Sequence, residues 1–360
     1  MKKIFLRLGI IFFWITLIFC ALYWPKWKVM KRFDANTLNI FSWGDILEPT
    51  VIANFEKETG IKINLSYYSS NEELIVKLKA THAEGYDLII PSDYAVDILI
   101  KEDLLKEIDK TQFAYWDTIN PRLINQLYDP LNKYSIPFAW ELFGFGVDID
   151  YFQMHPIEPS WKMIFDPHTV DYKITMNNDP IEAIEFATFY LYGAIDYLND
   201  KQTQAVKQCL IRQKPWVAAY ANFRGDYFLA TKNVAVVVAS SSYIWRTQRL
   251  FDFVKFVVPN EGTFITIENI CIPKPSNKQD LAFRFINYLY SPKSVAAHFN
   301  TYGFFPSTLN ELDMLNIDSQ AAQLMRGSAE EFKKYHFIRN ILPEEETRDI
   351  WVEVKTEGGE

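Results

Sequence analysis

The strongest constraint on the fold is a strand–helix–strand–helix–strand pattern between residues 37 and 90. Alternating polar and apolar residues predict strands at 37–41 and 61–65, and an uninterrupted apolar run predicts a third strand at 88–90. A helix with recognisable start and stop signals lies between successive strands. These signals are Pro49 and Gly60 for the first helix, and Ser70 with Glu73 and Ala83 for the second. Because strands that alternate with helices form parallel sheets, the chain is expected to open with an α/β domain.

The third strand runs directly into polar residues. Its consecutive apolar residues at 88–90 indicate burial on both faces, and Pro91 ends it. Ligands of α/β proteins bind beyond the carboxyl ends of such strands, so we predict that Ser92 and Tyr94 line a ligand cleft. The same edge is expected to carry the residues that follow the first strand, Trp43 and Asp45. The alternative is that Pro91 only ends a strand and that Tyr94 packs under a loop.

Further alternation and capping signals continue along the rest of the chain. Strands are predicted at 134–140, 145–148, 174–176, 234–239, 253–257 and 264–272. Helices are predicted at 97–104, 161–165, 180–192, 243–250 and 343–355, with further helix starts at Ser276 and Ser291. The composite is a mixed α/β protein whose final third is helical.

Three carboxylates stand out by position. Asp179 is a suitable N-cap, Pro180 a suitable first helical residue, and Glu182 falls at the third position of the same helix. Capping alone explains both acids, although the helix dipole would also favour their ionised form near a cation. Glu268 is a carboxylate within an apolar strand, for which a structural ion pair is the alternative to ligand binding.

Bulk composition narrows the classes of function. A chain of 360 residues favours two lobes or domains, and a formal charge of −8 argues against nucleic acid and favours a cationic ligand. The five histidines and three cysteines show no metal-ligand spacing and no nucleophilic triad, so we expect no metal, no cofactor and no enzyme. Carboxylates beside aromatic residues also describe a glycosidase cleft, which remains the enzymatic alternative.

The N-terminus reads as an export segment. Lys2, Lys3 and Arg7 precede an uncharged apolar run at 8–24, typical of a signal sequence or a short membrane anchor within residues 1–25. The stretch ending at Cys20 loosely resembles a lipoprotein signal, in which the cysteine becomes lipidated. A lipidated Cys20 and an uncleaved anchor both place the following residues outside the cytoplasm, attached to its membrane.

Several stretches in a fixed order resemble the spermidine/putrescine-binding proteins of bacterial ABC importers, which have a periplasmic-binding-protein type II fold. The resemblance spans Leu38 to Lys355. It is carried by Phe41–Asp45, Asn54–Lys62, Ser70–Glu72, Tyr86–Ser92, Tyr134–Pro137, Asp179–Glu182, and Glu261–Gly262 through Ile272–Pro273. It implies an extracytoplasmic, non-catalytic, monomeric receptor that binds a polyamine and delivers it to a membrane permease.

The resemblance also implies discontinuous lobes joined by crossover strands, with a ligand cleft between them. Lobe 1 would comprise residues 36–141 and 267–312, and lobe 2 residues 142–266 and 313–360. The implied ligand contacts are Trp43, Asp45, Ser92, Tyr94, Asp179, Glu182 and Glu268. Such a set suits a polyamine, whose ammonium groups need carboxylates and whose methylene chain needs aromatic faces.

The sequence departs from the family where aromatic walls are expected. Ala239 and Thr266 occupy positions that usually hold tryptophan, Ile46 and Phe304 replace tyrosines, and Arg339 falls near a usual glutamine. The residues that could refill the aromatic box are Trp140, Tyr243 and Trp245. These departures leave open a receptor of the same fold for an anion, an iron complex or a small vitamin.

Overall fold

A computed structural model describes residues 12–14, 16–19, 35–154, 157–221, 225–310, 312–315, 317 and 319–356. Its strands are β1 (Thr37–Trp43), β2 (Lys62–Tyr68), β3 (Leu88–Ile89), β4 (Ser135–Asp148), β5 (Ile174–Met176), β6 (Val217–Tyr220), β7 (Val236–Ser240), β8 (Val254–Val257), β9 (Thr263–Cys271), β10 (Phe305–Pro306) and β11 (Tyr335–Phe337). Its helices up to the middle of the chain are α1 (Pro49–Thr59), α2 (Asn71–Thr81), α3 (Asp93–Lys101), α4 (Lys162–Phe165), α5 (Pro180–Tyr192), α6 (Asp200–Gln213) and α7 (Gly225–Ala230). The remaining helices are α8 (Ser241–Gln248), α9 (Gln279–Leu289), α10 (Pro292–Tyr302), α11 (Ser319–Arg326), α12 (Ala329–Phe332) and α13 (Glu344–Thr356).

The strands form two α/β lobes that share their central strands. The strand order is β2-β1-β3-β9-β4-β7-β5-β6. The outer strands run parallel, with β1 between β2 and β3 on one side and β5 between β6 and β7 on the other. The central strands β4 and β9 are antiparallel to each other, β9 is antiparallel to β3, and β4 is antiparallel to β7, whereas the short strand β11 runs parallel to β9. The predicted mixed α/β, two-lobed fold is confirmed.

The prediction of two separate strands at 134–140 and 145–148 is wrong, because β4 is one strand of 14 residues. Its first part, Ser135 to Leu142, pairs with β9, and its second part, from Phe143 onward, pairs with β7 and β8. Glu141 interrupts the apolar pattern, yet its backbone stays in the ladder opposite Thr266. The strand therefore continues from one lobe into the other.

Each lobe has its own apolar core on either side of these crossing strands. One core contains Leu38, Phe55, Ile136 and Phe285, all fully or almost fully buried. The other contains Phe145, Trp161, Phe186 and Val236. Because side chains at such sites contribute about 1.5–3 kcal/mol each through burial, the two cores hold the lobes as separate units around the shared strands.

Helix ends position the residues of the cleft. Gly60 closes α1 with φ of +70°, a conformation that glycine adopts without a Cβ clash, and so returns the chain to β2 beside β1. Asp179 caps α5 directly after β5. Two helix predictions were imprecise, because α3 begins at Asp93 rather than at residue 97 and α9 begins at Gln279 rather than at Ser276. Two further helices, α6 and α7, were not anticipated.

The N-terminal segment contains the predicted signal or membrane anchor and the lipidation candidate Cys20. Cys20 lies outside the described residues, as do most of residues 1–25. Within the part of the chain that the structure describes, no helix is both long enough and apolar enough to cross a membrane. Cys209 and Cys271 are buried free thiols.

Candidate ligand cleft

Glu268, on β9, is the central acid of the site. It is 5% exposed, and its two carboxylate oxygens accept from different side chains. The indole Nε1–H of Trp43 donates to Oε2 at 2.9 Å, and the hydroxyl of Ser92 donates to Oε1 at 2.7 Å. Three of the residues predicted from distant parts of the sequence therefore meet at one carboxylate.

The strand end at Ser92 is fixed by its neighbours. The side-chain nitrogen of Asn71 donates to Ser92 Oγ at 3.0 Å, and Asn71 Oδ1 accepts from the backbone N–H of Ser92 at 3.3 Å. The Ser92 proton is therefore directed to Glu268. Asp93 accepts from the backbone N–H of Ile267 at 2.8 Å, which ties the crossing strand to the start of α3. Burial raises the pKa of Asp93 to about 7.

Trp43 provides a partly exposed aromatic face at the end of β1. Its ring packs against Tyr68 with centroids 4.6 Å apart, and Tyr68 in turn packs edge-on against Phe41. The hydroxyl of Tyr68 donates to the backbone oxygen of Ile90, so this aromatic stack is anchored to the end of β3. The indole is thereby held with its N–H on Glu268 and part of its face accessible to a ligand.

Tyr94 and Asp179 bring the two lobes into electrostatic contact. The Tyr94 hydroxyl donates to Glu72 Oε1 at 2.7 Å. Burial raises the pKa of Tyr94, and the negative charges of Glu72 and Asp179 raise it further. Burial likewise raises the pKa of Asp179, with Glu72 among the charges acting on it. The negative charge of Asp179, at the start of α5, therefore acts on Tyr94 in α3.

Asp179 and Glu182 occupy the first turn of α5 in different roles. Asp179 Oδ1 accepts from the backbone N–H groups of Ile181 at 2.9 Å and Glu182 at 3.1 Å, which is N-capping. Glu182 instead accepts from the side-chain amide of Asn177 at 2.5 Å. Burial, followed by the charge of Asp179, raises the pKa of Glu182. Capping therefore explains the position of Asp179 but not that of Glu182.

Glu141 is a cleft residue that the sequence reasoning missed. It lies on β4 directly opposite Thr266, so both side chains are on the face of the sheet that carries Glu268. Its Oε2 is buried and has no hydrogen-bond partner among the described residues. Burial raises the pKa of Glu141, and its charge acts on both Glu182 and Glu268. A lone acid within an apolar strand was the available signal, as it was for Glu268.

The carboxylates are poised for a cation. Burial raises the pKa of Glu268 to about 8, and the charges of Asp93 and Glu141 add to the shift. Glu141, Asp179, Glu182 and Glu268 form no ion pair with a residue in the described part of the chain. An incoming ammonium group would supply the missing counter-charge, and its hydrogen bonds would stabilise the ionised forms.

Asp45, Ala239 and Thr266 differ from the buried acids in how far they are exposed. Asp45 is exposed and makes no hydrogen bond to a described residue, although its charge acts on Tyr243 and Tyr302. Ala239 and Thr266 are partly buried. Trp140, Tyr243 and Trp245 were the aromatic residues expected to refill the box. Trp140 is fully buried, and its indole N–H donates to the backbone oxygen of Pro306. Trp245 is also buried, with 5% of its surface exposed. Neither refills the aromatic box.

Tyr243 is the replacement that lies near the site. The guanidinium of Arg246 sits 4.6 Å from the centre of the Tyr243 ring. Its positive charge lowers the pKa of Glu141, against the larger effect of burial. Arg339, in contrast, forms a 2.6 Å ion pair with Asp196 at the surface. The arginine that acts on the cleft is therefore Arg246, which sequence reasoning did not single out.

The sequence and the fold are both similar to those of extracellular solute-binding proteins of bacteria. The sequence model of the family described as bacterial extracellular solute-binding protein matches residues 50–325. The chain is 30% identical over 275 residues to the spermidine/putrescine-binding periplasmic protein of Salmonella typhimurium, covering 75% of this chain and 77% of that protein. It is 28% identical over 312 residues to the protein of the same name from Escherichia coli, covering 86% and 88%. A solved structure described as a putative spermidine/putrescine ABC transporter from Listeria monocytogenes superposes with a TM-score of 0.77 at 25% identity, covering 89% of this chain and 99% of that one.

Proposed function

The chain belongs to the bacterial extracellular solute-binding proteins, and we propose that it captures a polyamine such as spermidine or putrescine outside the cytoplasm and delivers it to an ABC transporter permease. The observation that carries the proposal is the buried Glu268, held by Trp43 and Ser92 and lacking a cationic partner among the described residues. An unpaired buried carboxylate is costly, which is why burial raises the pKa of Glu268 to about 8, and a ligand ammonium offsets that cost when the acid ionises.

The arrangement suits a chain with more than one positive charge. Glu268 and Glu141 lie on the crossing strands, and Asp179 and Glu182 lie at the start of α5 in the second lobe. A ligand that spans these acids neutralises both walls of the cleft at once. We propose Trp43, Asp45, Ser92, Tyr94, Asp179, Glu182 and Glu268 as the ligand contacts. To them we add Glu141.

We also propose that the chain crosses from one lobe to the other near residues 141 and 266. These crossings are supported by β4, which exchanges its partner β9 for β7 and β8 between Leu142 and Phe145. We further propose that the protein acts as a monomer and is attached to the cytoplasmic membrane, either through a lipidated Cys20 or through an uncleaved anchor within residues 1–25. The positive residues before the apolar run support this orientation.

Arg339 no longer supports the alternative of an anion-binding receptor. Its guanidinium is paired with Asp196, and its backbone N–H donates to Glu185 Oε1 at 3.0 Å. These contacts tie it to α5 and to the loop after α5 rather than to the acids of the cleft. The charge of the described cleft is therefore dominated by carboxylates.

Titration calorimetry of the purified full chain in non-ionic detergent tests the proposal. Spermidine and putrescine are each compared with a neutral diol of equal chain length, which preserves the methylene chain and removes the charges. Saturable binding of an amine without binding of the diol is expected. Mass spectrometry of ligand released from the freshly purified protein gives an independent identification. Absence of amine binding, with a different small molecule co-purifying, would overturn the polyamine assignment and leave the fold intact.

A further inference from the structure

The two hydrogen bonds that Glu268 accepts differ in whether they can be reversed. The indole of Trp43 has an N–H and no acceptor, so its contact with Oε2 can only be a donation. A serine hydroxyl can donate or accept, because it carries one proton and two lone pairs. The contact of 2.7 Å between Ser92 Oγ and Glu268 Oε1 therefore stabilises the carboxylate in one orientation of the hydroxyl and the neutral acid in the other.

The side chain of Asn71 determines the orientation of the Ser92 hydroxyl. The backbone N–H of Ser92 can only donate, so the atom of the Asn71 amide that lies 3.3 Å from it is the oxygen Oδ1. The other end of the same amide is the nitrogen Nδ2, which lies 3.0 Å from Ser92 Oγ and can only donate to it. A flipped amide would place two donors against each other at the Ser92 N–H. The proton of the Ser92 hydroxyl is therefore left for Glu268.

Asn71 is held in place behind Ser92. It is the first residue of α2, and Ser70 caps that helix by accepting from the backbone N–H of Glu73 at 3.2 Å. The Asn71 side chain is 4% exposed, and both of its polar atoms are engaged by Ser92. Its influence on Glu268 therefore passes through Ser92.

We propose that Asn71 is a positioning residue for amine binding: by orienting the Ser92 hydroxyl, it favours the ionised form of Glu268 that pairs with an ammonium group. A rotated hydroxyl would offer Glu268 a lone pair, and the neutral acid would then donate its own proton to Ser92. A neutral acid offers a ligand cation no counter-charge. This inference rests on the proposed function, because it concerns the charge state of the acid that the proposed ligand meets.

The ionisation of Glu268 also depends on the groups packed around it. Burial raises the pKa of Glu268 to about 8, and the hydrogen bond from Ser92 is the largest effect that opposes burial. The negative charges of Asp93 on α3 and Glu141 on β4 raise the pKa of Glu268 further. Burial, and then the charge of Glu268, raises the pKa of Tyr68 on β2, so that phenol stays neutral. Loss of the Ser92 donor is therefore expected to raise the pKa of Glu268.

Asn71→Leu tests the proposal in the full chain. Leucine keeps the branch at Cγ and removes both polar atoms, so the Ser92 hydroxyl loses its fixed orientation. The affinity for putrescine, measured by titration calorimetry, is expected to fall about tenfold at pH 6.5 and less than about threefold at pH 9. The loss shrinks because Glu268 ionises in both proteins as the pH rises, while an alkyl ammonium group stays charged. An equal loss at both pH values would reduce Asn71 to a support of the fold and overturn the proposal.

A double-mutant cycle with Ser92→Ala tests the route of the effect. Without the hydroxyl Asn71 has nothing to orient, so Asn71→Leu in the Ser92→Ala protein is expected to cost less than about twofold at pH 6.5. A tenfold loss in that protein would overturn the proposal. The matched control is Asn120→Leu, since Asn120 is 1% exposed and hydrogen-bonds the backbone of Met325 and Arg122. It is expected to lower stability and to leave the putrescine affinity unchanged at both pH values.

Asn71→Asp replaces the leucine variant if that protein does not fold. Aspartate keeps an acceptor for the Ser92 N–H and puts an oxygen in place of Nδ2, so the hydroxyl is expected to turn from Glu268 to the new carboxylate. The gain in putrescine affinity between pH 6.5 and pH 9 is then expected to exceed that of the wild type. A gain equal to that of the wild type would overturn the proposal.

A measurement without ligand separates this inference from the polyamine assignment. NMR of the unliganded protein, labelled with ¹³C at the glutamate carboxyl groups, follows the Glu268 signal, which is assigned by its absence in Glu268→Gln. The midpoint of its titration is expected at higher pH in Asn71→Leu than in the wild type. An unchanged midpoint would overturn the role of Asn71 even if putrescine binds. A raised midpoint in a protein that binds no amine would support the control of Glu268 by Asn71 and overturn the polyamine assignment.

Discussion

Ser92 and Glu268 lie 176 positions apart in the sequence and are joined by a hydrogen bond of 2.7 Å. The same two residues form a β-bridge, so backbone and side chains both connect the end of β3 to the crossing strand β9. The carboxylate is therefore fixed in direction before any ligand arrives. Pre-organisation of this kind reduces the entropy that binding would otherwise lose.

Glu268→Gln is expected to weaken polyamine binding by about 10–100-fold, because it removes the charge that a buried ammonium would pair with. Glutamine preserves the size of the side chain and an acceptor for one of its two donors. Calorimetric titration with spermidine measures the loss. Glu185→Gln is the matched control, since Glu185 is also a buried carboxyl but accepts from the backbone of Arg339. Equal losses in both variants would count against a specific role for Glu268.

Asp179→Asn separates capping from ligand binding. Asparagine caps helices about as well as aspartate, so the melting temperature of the unliganded protein is expected to change little. Polyamine affinity is expected to fall by about tenfold, since the charge is lost. Asp179→Ala should lose affinity and also about 1 kcal/mol of stability. Unchanged affinity in the asparagine variant would reduce Asp179 to a helix cap.

Glu141→Gln and Arg246→Gln are expected to shift affinity in opposite directions. The first removes a negative charge from the crossing strands and should weaken polyamine binding. The second removes the positive charge above Tyr243 and should strengthen it several-fold, because like charges oppose an incoming cation. Both affinities are read from the same titration as for the other variants. A weaker complex in both would place Arg246 among the residues that support the site.

Binding is expected to release protons and to strengthen as the pH rises from 6 to 8. Burial raises the pKa of Glu268 from 4.5 to about 8, so the unliganded acid is largely protonated near neutrality. A bound ammonium group favours the ionised form and expels that proton. Titrations in buffers with different ionisation enthalpies measure the number released. An observed enthalpy that does not depend on the buffer would contradict this linkage.

The same shift predicts the pH dependence of folding. Between pH 4.5 and about 8 the folded state holds a proton on Glu268 that the unfolded state has lost. The free energy of unfolding therefore falls as the pH rises through this window, and this contribution is absent in Glu268→Gln. Chemical denaturation at pH 5 and pH 8 compares the two proteins. A wild-type protein that gains more stability than the variant over this interval would contradict the expectation.

Local sequence patterns were sufficient to predict the order of strands and helices between residues 37 and 90, because each element there has its own periodicity and end signals. They failed at β4, where Glu141 broke an apolar run and suggested two strands. Pairing across the sheet, which no local pattern contains, keeps Glu141 in the ladder opposite Thr266. The same long-range pairing explains why Glu141 escaped notice as a site residue.

The burial of two tryptophans could not be predicted from the sequence. Trp140 and Trp245 looked able to refill the cleft, but neighbouring segments bury both in the core. Burial depends on which elements pack together, and a tryptophan in a strand or helix gives no sign of which face will be covered. Arg339 was misleading for a related reason, since its partner Asp196 lies far from it in sequence.

The continuous strand β4 has a consequence for how specificity can evolve. Glu141 is a proposed ligand contact and also belongs to β4, which together with β9 runs unbroken from one core to the other among the described strands. Substitutions that change ligand choice at Glu141 are therefore expected to alter the stiffness of the connection between the lobes as well. Ligand selectivity and the rate at which the two lobes open and close are therefore expected to vary together among homologues that differ at this position.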